Sequence, residues 1–175
     1  EISKLQQESG YPYIINTDTA NRDNPVYGKI VMSNLCSEIL QVQSPSEMNE
    51  DLSFREVGHD ISCNLGSANI TEMIQSSNFE ESIETAVRAL SSVSDMTSIK
   101  AVPTVEKGNK AYNSIGLGAM GLHTALAVNH IHYGSDEALE FTDAYFRAVR
   151  FYALKASNKL AEEKNETFFE FEKSA

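Results

Sequence analysis

The sequence predicts an α/β protein whose C-terminal half is rich in helices. Two observations support this prediction. Apolar residues recur at helical spacing through residues 78–98 and 135–164, whereas residues 1–77 hold short apolar segments separated by prolines and polar turns. We therefore divide the chain into a strand-and-loop part, residues 1–77, and a helical part, residues 78–175.

Short extended segments are the regular structure expected in the first part. Strands are predicted at residues 11–15 and 57–65, and Gly66 is expected to end the second one just after Cys63. Between them, residues 42–53 are polar and contain a proline, which predicts a surface loop.

The first predicted helix of the second part spans residues 78–98. Ser77 and Glu80 have the spacing of a capping box. In a capping box the side chain of each residue accepts the main-chain N–H of the other. Pro103 and the cluster at residues 106–109 are expected to end this region, because proline and glycine interrupt regular structure.

Two further helices are predicted, at residues 116–130 and 135–164. Ser135 can cap the longer helix, and the two acidic residues after it suit the positive end of the helix dipole. The apolar face of that helix consists of Leu139, Phe146, Val149, Ala153 and Leu160. Residues 168–171 are too apolar for a free terminus, so we expect them to pack on other residues or the native chain to continue.

The charge balance argues against nucleic acid as a partner. The chain has 25 acidic and 14 basic residues, a formal net charge of −11, and no cluster of basic residues that would attract phosphate groups. No apolar run is long enough to span a membrane, so no membrane partner is expected either. Two cysteines without a secretory signal predict a reducing cytoplasm in which both are thiols.

One of these cysteines lies in an unusual setting. In an extended segment alternate side chains share a face, so Asn34, Cys36 and Glu38 would project together. They would offer a ligand an amide, a redox-capable sulfur and a carboxylate base. Cysteine is also commonly a buried apolar residue, but a core strand does not normally place an amide and a carboxylate beside the sulfur.

The same stretch resembles a known family. Residues 34–38, Asn-Leu-Cys-Ser-Glu, follow Met-Ser and precede Ile-Leu-Gln, which is similar to the active-site finger loop of class I ribonucleotide reductase large subunits. The Ser-Glu-Ile-Leu-Gln continuation favours class Ib. Further similarity occurs in the family's order, at Gly-Tyr-Pro-Tyr 10–13, Asn21, Ser-Cys-Asn-Leu-Gly-Ser-Ala-Asn 62–69 and Ile-Gly-Leu-Gly-Ala-Met-Gly-Leu 115–122.

The resemblance implies that residues 1–175 are a central fragment of the catalytic barrel domain. That domain is a ten-stranded α/β barrel with the finger loop threading its centre. By the same resemblance Cys36 becomes the thiyl radical that abstracts the 3′ hydrogen of a ribonucleotide, Glu38 takes the 3′-hydroxyl proton, and Asn34 orients the ribose. Residues 34–38, including Leu35 and Ser37, are expected to bind the substrate.

Cys63 corresponds to a redox cysteine of the family. Removal of the 2′-hydroxyl as water consumes two electrons, which a pair of thiols supplies by forming a disulfide. The family's second redox cysteine lies upstream of residue 1, outside this chain. A working disulfide between Cys36 and Cys63 is rejected because it would quench the radical cysteine.

The resemblance also implies the reaction and the partners of the parent protein. It would be a ribonucleoside-diphosphate reductase that acts on ribonucleoside diphosphates as a homodimer of large subunits. A metal-containing small subunit would generate the radical, and a thioredoxin- or glutaredoxin-like protein would restore the thiols. No cofactor and no metal is expected in this chain, and nucleotide effectors such as ATP and dNTPs would bind elsewhere in the subunit. The isolated fragment is expected to be inactive.

Other interpretations remain open at this stage. The glycines at 116, 118 and 121 imitate a dinucleotide-binding fingerprint, but no buried strand is predicted before them, so close helix packing is the preferred explanation. His130 and His132 are a conceivable metal pair without further ligands nearby. The functional alternatives are a non-catalytic helical interaction module with core thiols, a fragment active only by assembly, and a thiol-redox protein, which lacks the expected Cys-x-x-Cys.

Overall fold

The computed structural model describes all of residues 1–175, which form two compact units. The first unit combines residues 1–62, 98–112 and 168–175, and the second combines residues 63–97 and 113–167. The units therefore interleave along the chain, and the division into a strand-and-loop part and a helical part stays a prediction.

The first unit has little regular structure. Its elements are helix α1 (Ile2–Ser9), helix α2 (Thr17–Arg22), strands β1 (Glu47–Met48) and β2 (Phe54–Glu56), helix α5 (Pro103–Tyr112) and a 3₁₀ helix (Phe171–Lys173). β1 and β2 pair as a short antiparallel hairpin.

Long-range hydrogen bonds join the separate stretches of the first unit. The N–H of Asp60 donates to the carbonyl oxygen of Thr104 at 3.1 Å, and the N–H of Phe169 donates to that of Ala111 at 2.8 Å. The Phe169 ring also packs on His59, with centroids 5.0 Å apart. The apolar tail therefore packs on other residues, as its composition predicts.

The second unit is built on a parallel pair of strands. β3 (Asn64–Asn69) pairs with β4 (Ile115–Met120) in a continuous register from Asn64 opposite Ile115 to Asn69 opposite Met120. The helices of this unit are α3 (Ile70–Gln75), α4 (Phe79–Met96), α6 (Leu122–Val128) and α7 (Asp136–Lys164).

Helices α4 and α7 supply the core of the second unit. Ile83, Val87 and Ala156 are buried together, and Ile115 and Leu117 of β4 pack against them. A neighbouring cluster is formed around Ile70, Ala125 and Tyr145. Helices thus cover one face of the sheet.

The two long helices lie close to where their periodicity predicts them. Ser135 caps α7 by accepting the N–H of Ala138 at 3.2 Å, so the predicted cap is confirmed. The predicted capping box of α4 is wrong, because Asn78 is its N-cap and its side chain makes no capping bond.

Several shorter predictions are also wrong. No strand is present at residues 11–15, and the strand predicted at 57–65 instead begins after Cys63 and continues through Gly66. The helix predicted at 116–130 is strand β4 followed by α6. An apolar run containing glycines fits a buried strand as well as a helix, and pairing with β3 decides between them.

Pro103 and residues 106–109 were predicted to interrupt regular structure, but they lie within helix α5. Pro103 is the first residue of that helix, a position where the missing N–H costs nothing. Gly108 lies buried within α5 against the main chain of Asp60, which leaves no room for a side chain. None of the helices is both long and apolar enough to cross a membrane.

Candidate active site

The Cys36 loop, residues 33–39, lies in the first unit and turns sharply at its centre. The N–H of Ser37 donates to the carbonyl oxygen of Asn34 at 3.0 Å, which closes a four-residue turn. Ser37 adopts a φ of +67° in the left-handed region. Cys36 is a free, exposed thiol within the turn, and Leu35 beside it is 81% exposed.

Asn34 holds both sides of this turn together. Its Oδ1 accepts the N–H of Ile39 at 3.0 Å and the hydroxyl of Ser33 at 3.1 Å. Because the oxygen already accepts these two hydrogen bonds within the loop, the amide group offers a ligand its NH₂ donors.

The extended geometry predicted for this stretch is therefore wrong. Asn34, Cys36 and Glu38 are not alternate residues of a strand, because the chain reverses between Asn34 and Ser37. Cys36 and Glu38 are both exposed and Asn34 is half-buried. The turn exposes the thiol at the tip of the loop, whereas a strand would have placed it on one face of a sheet.

Side-chain amides fix the two stems of the loop. The Oδ1 of Asn21 accepts the N–H of Ile30 at 2.9 Å, and the Nδ2 of Asn21 donates to the carbonyl oxygen of Ile30 at 2.8 Å. Gln43 accepts the N–H groups of Val31 and Met32 at 3.4 and 3.1 Å and donates to the carbonyl oxygen of Met32 at 3.3 Å. Gln43 was missed by sequence reasoning.

The C-terminal stem is anchored in the same way. Gln41 accepts the N–H of Ser62 at 3.1 Å and donates to its carbonyl oxygen at 2.8 Å. Further along, the N–H of His59 donates to the hydroxyl of Ser44 at 2.8 Å. The pKa of His59 lies below its ordinary value, first because the ring is partly buried and second because of the positive charge on Lys107. The side-chain amides of Asn21, Gln41 and Gln43 follow no helical or strand periodicity, so the sequence alone does not point to them.

Cys63 belongs to the second unit and directly precedes β3. Its thiol is half-buried, and its Sγ lies 4.0 Å from the carbonyl oxygen of Asn64. Beside it on β4 is Gly116, where a Cβ would lie 3.3 Å from that Sγ.

The structure brings no set of metal ligands together. No three histidine, cysteine or carboxylate side chains lie close enough to hold a metal ion. The glycines at 116 and 118 lie within strand β4 and not in a turn after a strand, which also departs from a dinucleotide-binding loop. The close helix packing expected for these glycines is wrong, because their missing side chains face residues of β3.

Comparison with known proteins establishes the family. Residues 1–175, the whole chain, match the family model described as the ribonucleotide reductase barrel domain. The chain belongs to the ribonucleotide reductase barrel family. The predicted fold class, an α/β fragment of that barrel, is thereby confirmed, although the described strands form two small sheets and not a closed barrel.

Curated relatives are named as alpha subunits of ribonucleoside-diphosphate reductase. The chain is 49% identical to the ribonucleoside-diphosphate reductase subunit alpha of Mycoplasma pneumoniae, over 93% of this chain and 23% of that protein. It is 43% identical to the subunit of that name from Bacillus subtilis, over 99% of this chain and 25% of that protein. The chain thus spans about a quarter of the length of these ribonucleotide reductase relatives.

A solved structure supports the fold. The Actinobacillus ureae class Id ribonucleotide reductase alpha subunit superposes with a TM-score of 0.79 over 95% of this chain and 31% of that one, at 24% identity. At that identity the match speaks for the barrel fold of this ribonucleotide reductase segment and not for its class.

Proposed function

We propose that the protein containing this segment is the catalytic subunit of a ribonucleoside-diphosphate reductase, of class Ib. It reduces ribonucleoside diphosphates to 2′-deoxyribonucleoside diphosphates for DNA precursor synthesis. The observation that carries the proposal is the exposed Cys36 thiol on a turn that begins at Asn34 and is followed by Glu38, in a chain of this family.

Cys36 begins the proposed reaction. Its sulfur, converted to a thiyl radical, takes the 3′ hydrogen atom of the ribose, so that an S–H bond forms as the C–H bond breaks. Once C2′ is reduced, the sulfur returns that hydrogen atom to C3′ and the thiyl radical is restored. The turn supports this role because it exposes the sulfur, which has to approach the ribose within van der Waals contact. A purely packed core thiol, as in the interaction-module alternative, would not be exposed.

Glu38 and Asn34 act on the hydroxyl groups of the same ribose. The Glu38 carboxylate accepts the 3′-hydroxyl proton once the radical lies on the adjacent carbon, as a general base within hydrogen-bond reach. Asn34 donates from its NH₂ group, while its Oδ1 accepts the N–H of Ile39. Leu35 and Ser37 complete the substrate-binding loop.

Cys63 supplies reducing equivalents. The C2′–OH bond is replaced by a C–H bond and the oxygen leaves as water, while Cys63 and a second thiol from outside this segment each lose a hydrogen atom and form a disulfide. An external dithiol, from a thioredoxin- or glutaredoxin-like protein, then reduces that disulfide by exchange. The reaction therefore requires a reducing compartment, which we take to be the cytoplasm.

The remaining parts of the machinery lie outside residues 1–175. A metal-containing small subunit would supply the radical, a second large subunit would complete the dimer, and ATP or dNTP effectors would bind elsewhere in the subunit. No step assigned to this segment needs a bound cofactor.

Conversion of CDP to dCDP by the full-length subunit tests the proposal. It is measured with the radical-generating subunit and a dithiol, for wild type, Cys36→Ser, Glu38→Gln and Cys63→Ser. We expect no product with Cys36→Ser, a loss of about a hundredfold with Glu38→Gln, and no sustained turnover with Cys63→Ser. Wild-type turnover by Cys36→Ser would overturn the proposal.

A further inference from the structure

The two-stranded sheet of the second unit has one covered face and one open face. A Cβ on Gly66 of β3 would meet Leu90 of α4 at 3.4 Å, and Leu117 of β4 packs in the core between the sheet and the helices. Because side chains alternate along a strand, the residues next to Gly66 on β3 and next to Leu117 on β4 lie on the opposite, open face.

The open face carries Cys63 beside a residue without a side chain. Cys63 and Leu65 lie on this face, Leu65 is 59% exposed, and Gly116 of β4 is paired with Leu65. A Cβ on Gly116 would lie 3.3 Å from the Sγ of Cys63 and 2.5 Å from Cδ2 of Leu65. The half-buried sulfur therefore lies where it would crowd any side chain at position 116.

The two crowded groups would respond differently to an added methyl group. Cδ2 of Leu65 is the end of an exposed side chain, so it can turn towards solvent at little cost. The Sγ of Cys63 can move only by rotating about χ1, which changes the direction in which the thiol points. A methyl group at position 116 would thus act mainly on the placement of the sulfur.

We propose that Gly116 is a positioning residue for the redox thiol of Cys63. Because it has no side chain, it leaves room beside the sulfur for the thiol to turn towards the second thiol when each loses a hydrogen atom to form the disulfide, and again when an external dithiol reduces it. The proposal rests on the redox role proposed for Cys63 and deepens it.

Gly118 provides a matched control on the same strand and the same face. A Cβ there would meet the hydroxyl oxygen of Ser67 at 3.2 Å, and that hydroxyl can rotate away. Neither Gly116 nor Gly118 has a positive φ, so alanine fits the backbone at both positions. The two substitutions therefore change the strand alike and differ in whether they crowd Cys63.

The experiment compares Gly116→Ala, Gly118→Ala and the double variant Gly116→Ala/Leu65→Ala in the full-length subunit. The double variant removes the contact with Leu65 and leaves only that with the sulfur. Alkylation by iodoacetamide is followed peptide by peptide, so Cys36 serves as an internal reference. Dithiol-dependent turnover and KM for CDP are measured on the same preparations.

In both Gly116 variants we expect about fivefold slower alkylation of Cys63 relative to Cys36. Turnover should fall by about tenfold with little change in KM. Gly118→Ala should remain within about twofold of wild type. If the single variant fails to fold, the double variant decides by the same readouts.

Wild-type alkylation of Cys63 and wild-type turnover in a folded Gly116 variant would overturn the inference, as would an equal effect of Gly118→Ala. Cys63→Ser, assayed in parallel, separates this failure from failure of the proposed function. If Cys63→Ser itself sustains turnover, the redox role fails. If it abolishes turnover while Gly116→Ala behaves as wild type, only the positioning role fails.

Discussion

The side-chain amide of Gln43 bonds the main chain of Met32 in both directions. Its Oε1 accepts the N–H at 3.1 Å and its Nε2 donates to the carbonyl oxygen at 3.3 Å. Met32 and Gln43 lie on opposite sides of the Cys36 loop, so this pair closes the loop at its base. The position of the thiol at the tip depends on that closure.

Replacing Gln43 by alanine should impair the reaction without removing any proposed catalytic group. The change deletes the bonds to Val31 and Met32, each worth about 1 kcal/mol, and lets the stems separate. We expect kcat for dCDP formation by the full-length subunit to fall by about tenfold. Gln7, exposed on α1, gives the control variant Gln7→Ala. Equal kcat values for the two variants would contradict the role of Gln43.

Arg88 links α4 to α7 through paired ionic hydrogen bonds. Its Nη1 and Nη2 each lie 2.7 Å from an oxygen of Glu163, and its Nε lies 2.8 Å from Glu84. The hydrogen bond from Arg88 holds the pKa of Glu163 below its ordinary value, and bonds from Lys159 and then Arg88 do the same for Glu84.

Arg88→Met should therefore loosen α7 in a pH-dependent way. A carboxylate with a lowered pKa in the folded state contributes its full stabilisation above its unfolded pKa and loses it as the pH falls through the folded pKa. Hydrogen exchange of α7 peptides in the full-length subunit should be faster than in wild type at pH 7, and the difference should shrink below about pH 4.5.

Arg147→Met is the control for Arg88→Met. Arg147 is also on α7, but its side chain is 78% exposed and pairs with Asp143 on the same helix. Such an exposed pair contributes little, so exchange should not change. A difference for Arg88→Met that stays constant from pH 7 to below pH 4.5 would show that lost packing, and not the ion pairs, is responsible.

The start of α7 should depend on Ser135. Its hydroxyl accepts the N–H of Ala138, and Ser135→Ala leaves that N–H without its partner, at a cost of about 1 kcal/mol. We expect faster hydrogen exchange in the first turn of α7 and unchanged exchange in α4. Ser135→Asp should retain the protection, because aspartate also caps helices. Equal protection in the alanine variant would mean that the cap does not stabilise the helix.

The sequence predicted those parts of the fold that are set by local patterns. Helices α4 and α7 have sustained apolar periodicity, and Ser135 is a typical cap. Strand β4 was predicted as a helix because its pairing with β3 joins residues far apart in the chain. No local pattern contains that information.

The candidate site was predictable in its residues but not in its geometry. Asn34, Cys36 and Glu38 stand out by residue type, yet their alternation suggested a strand where the chain makes a turn closed by Asn34. The stem contacts of Asn21 and Gln43 are bonds from side chain to main chain. Such bonds follow no sequence period and become visible only in the folded chain.

The central claim is that Cys36 takes the 3′ hydrogen of the substrate. The most direct test is release of tritium from [3′-³H]CDP by the full-length subunit with its radical-generating partner. Tritium held as S–T on Cys36 exchanges with water, so we expect release with wild type and with Cys63→Ser, which keeps the proposed radical cysteine, and none with Cys36→Ser. Tritium release by Cys36→Ser at the wild-type rate would contradict the account.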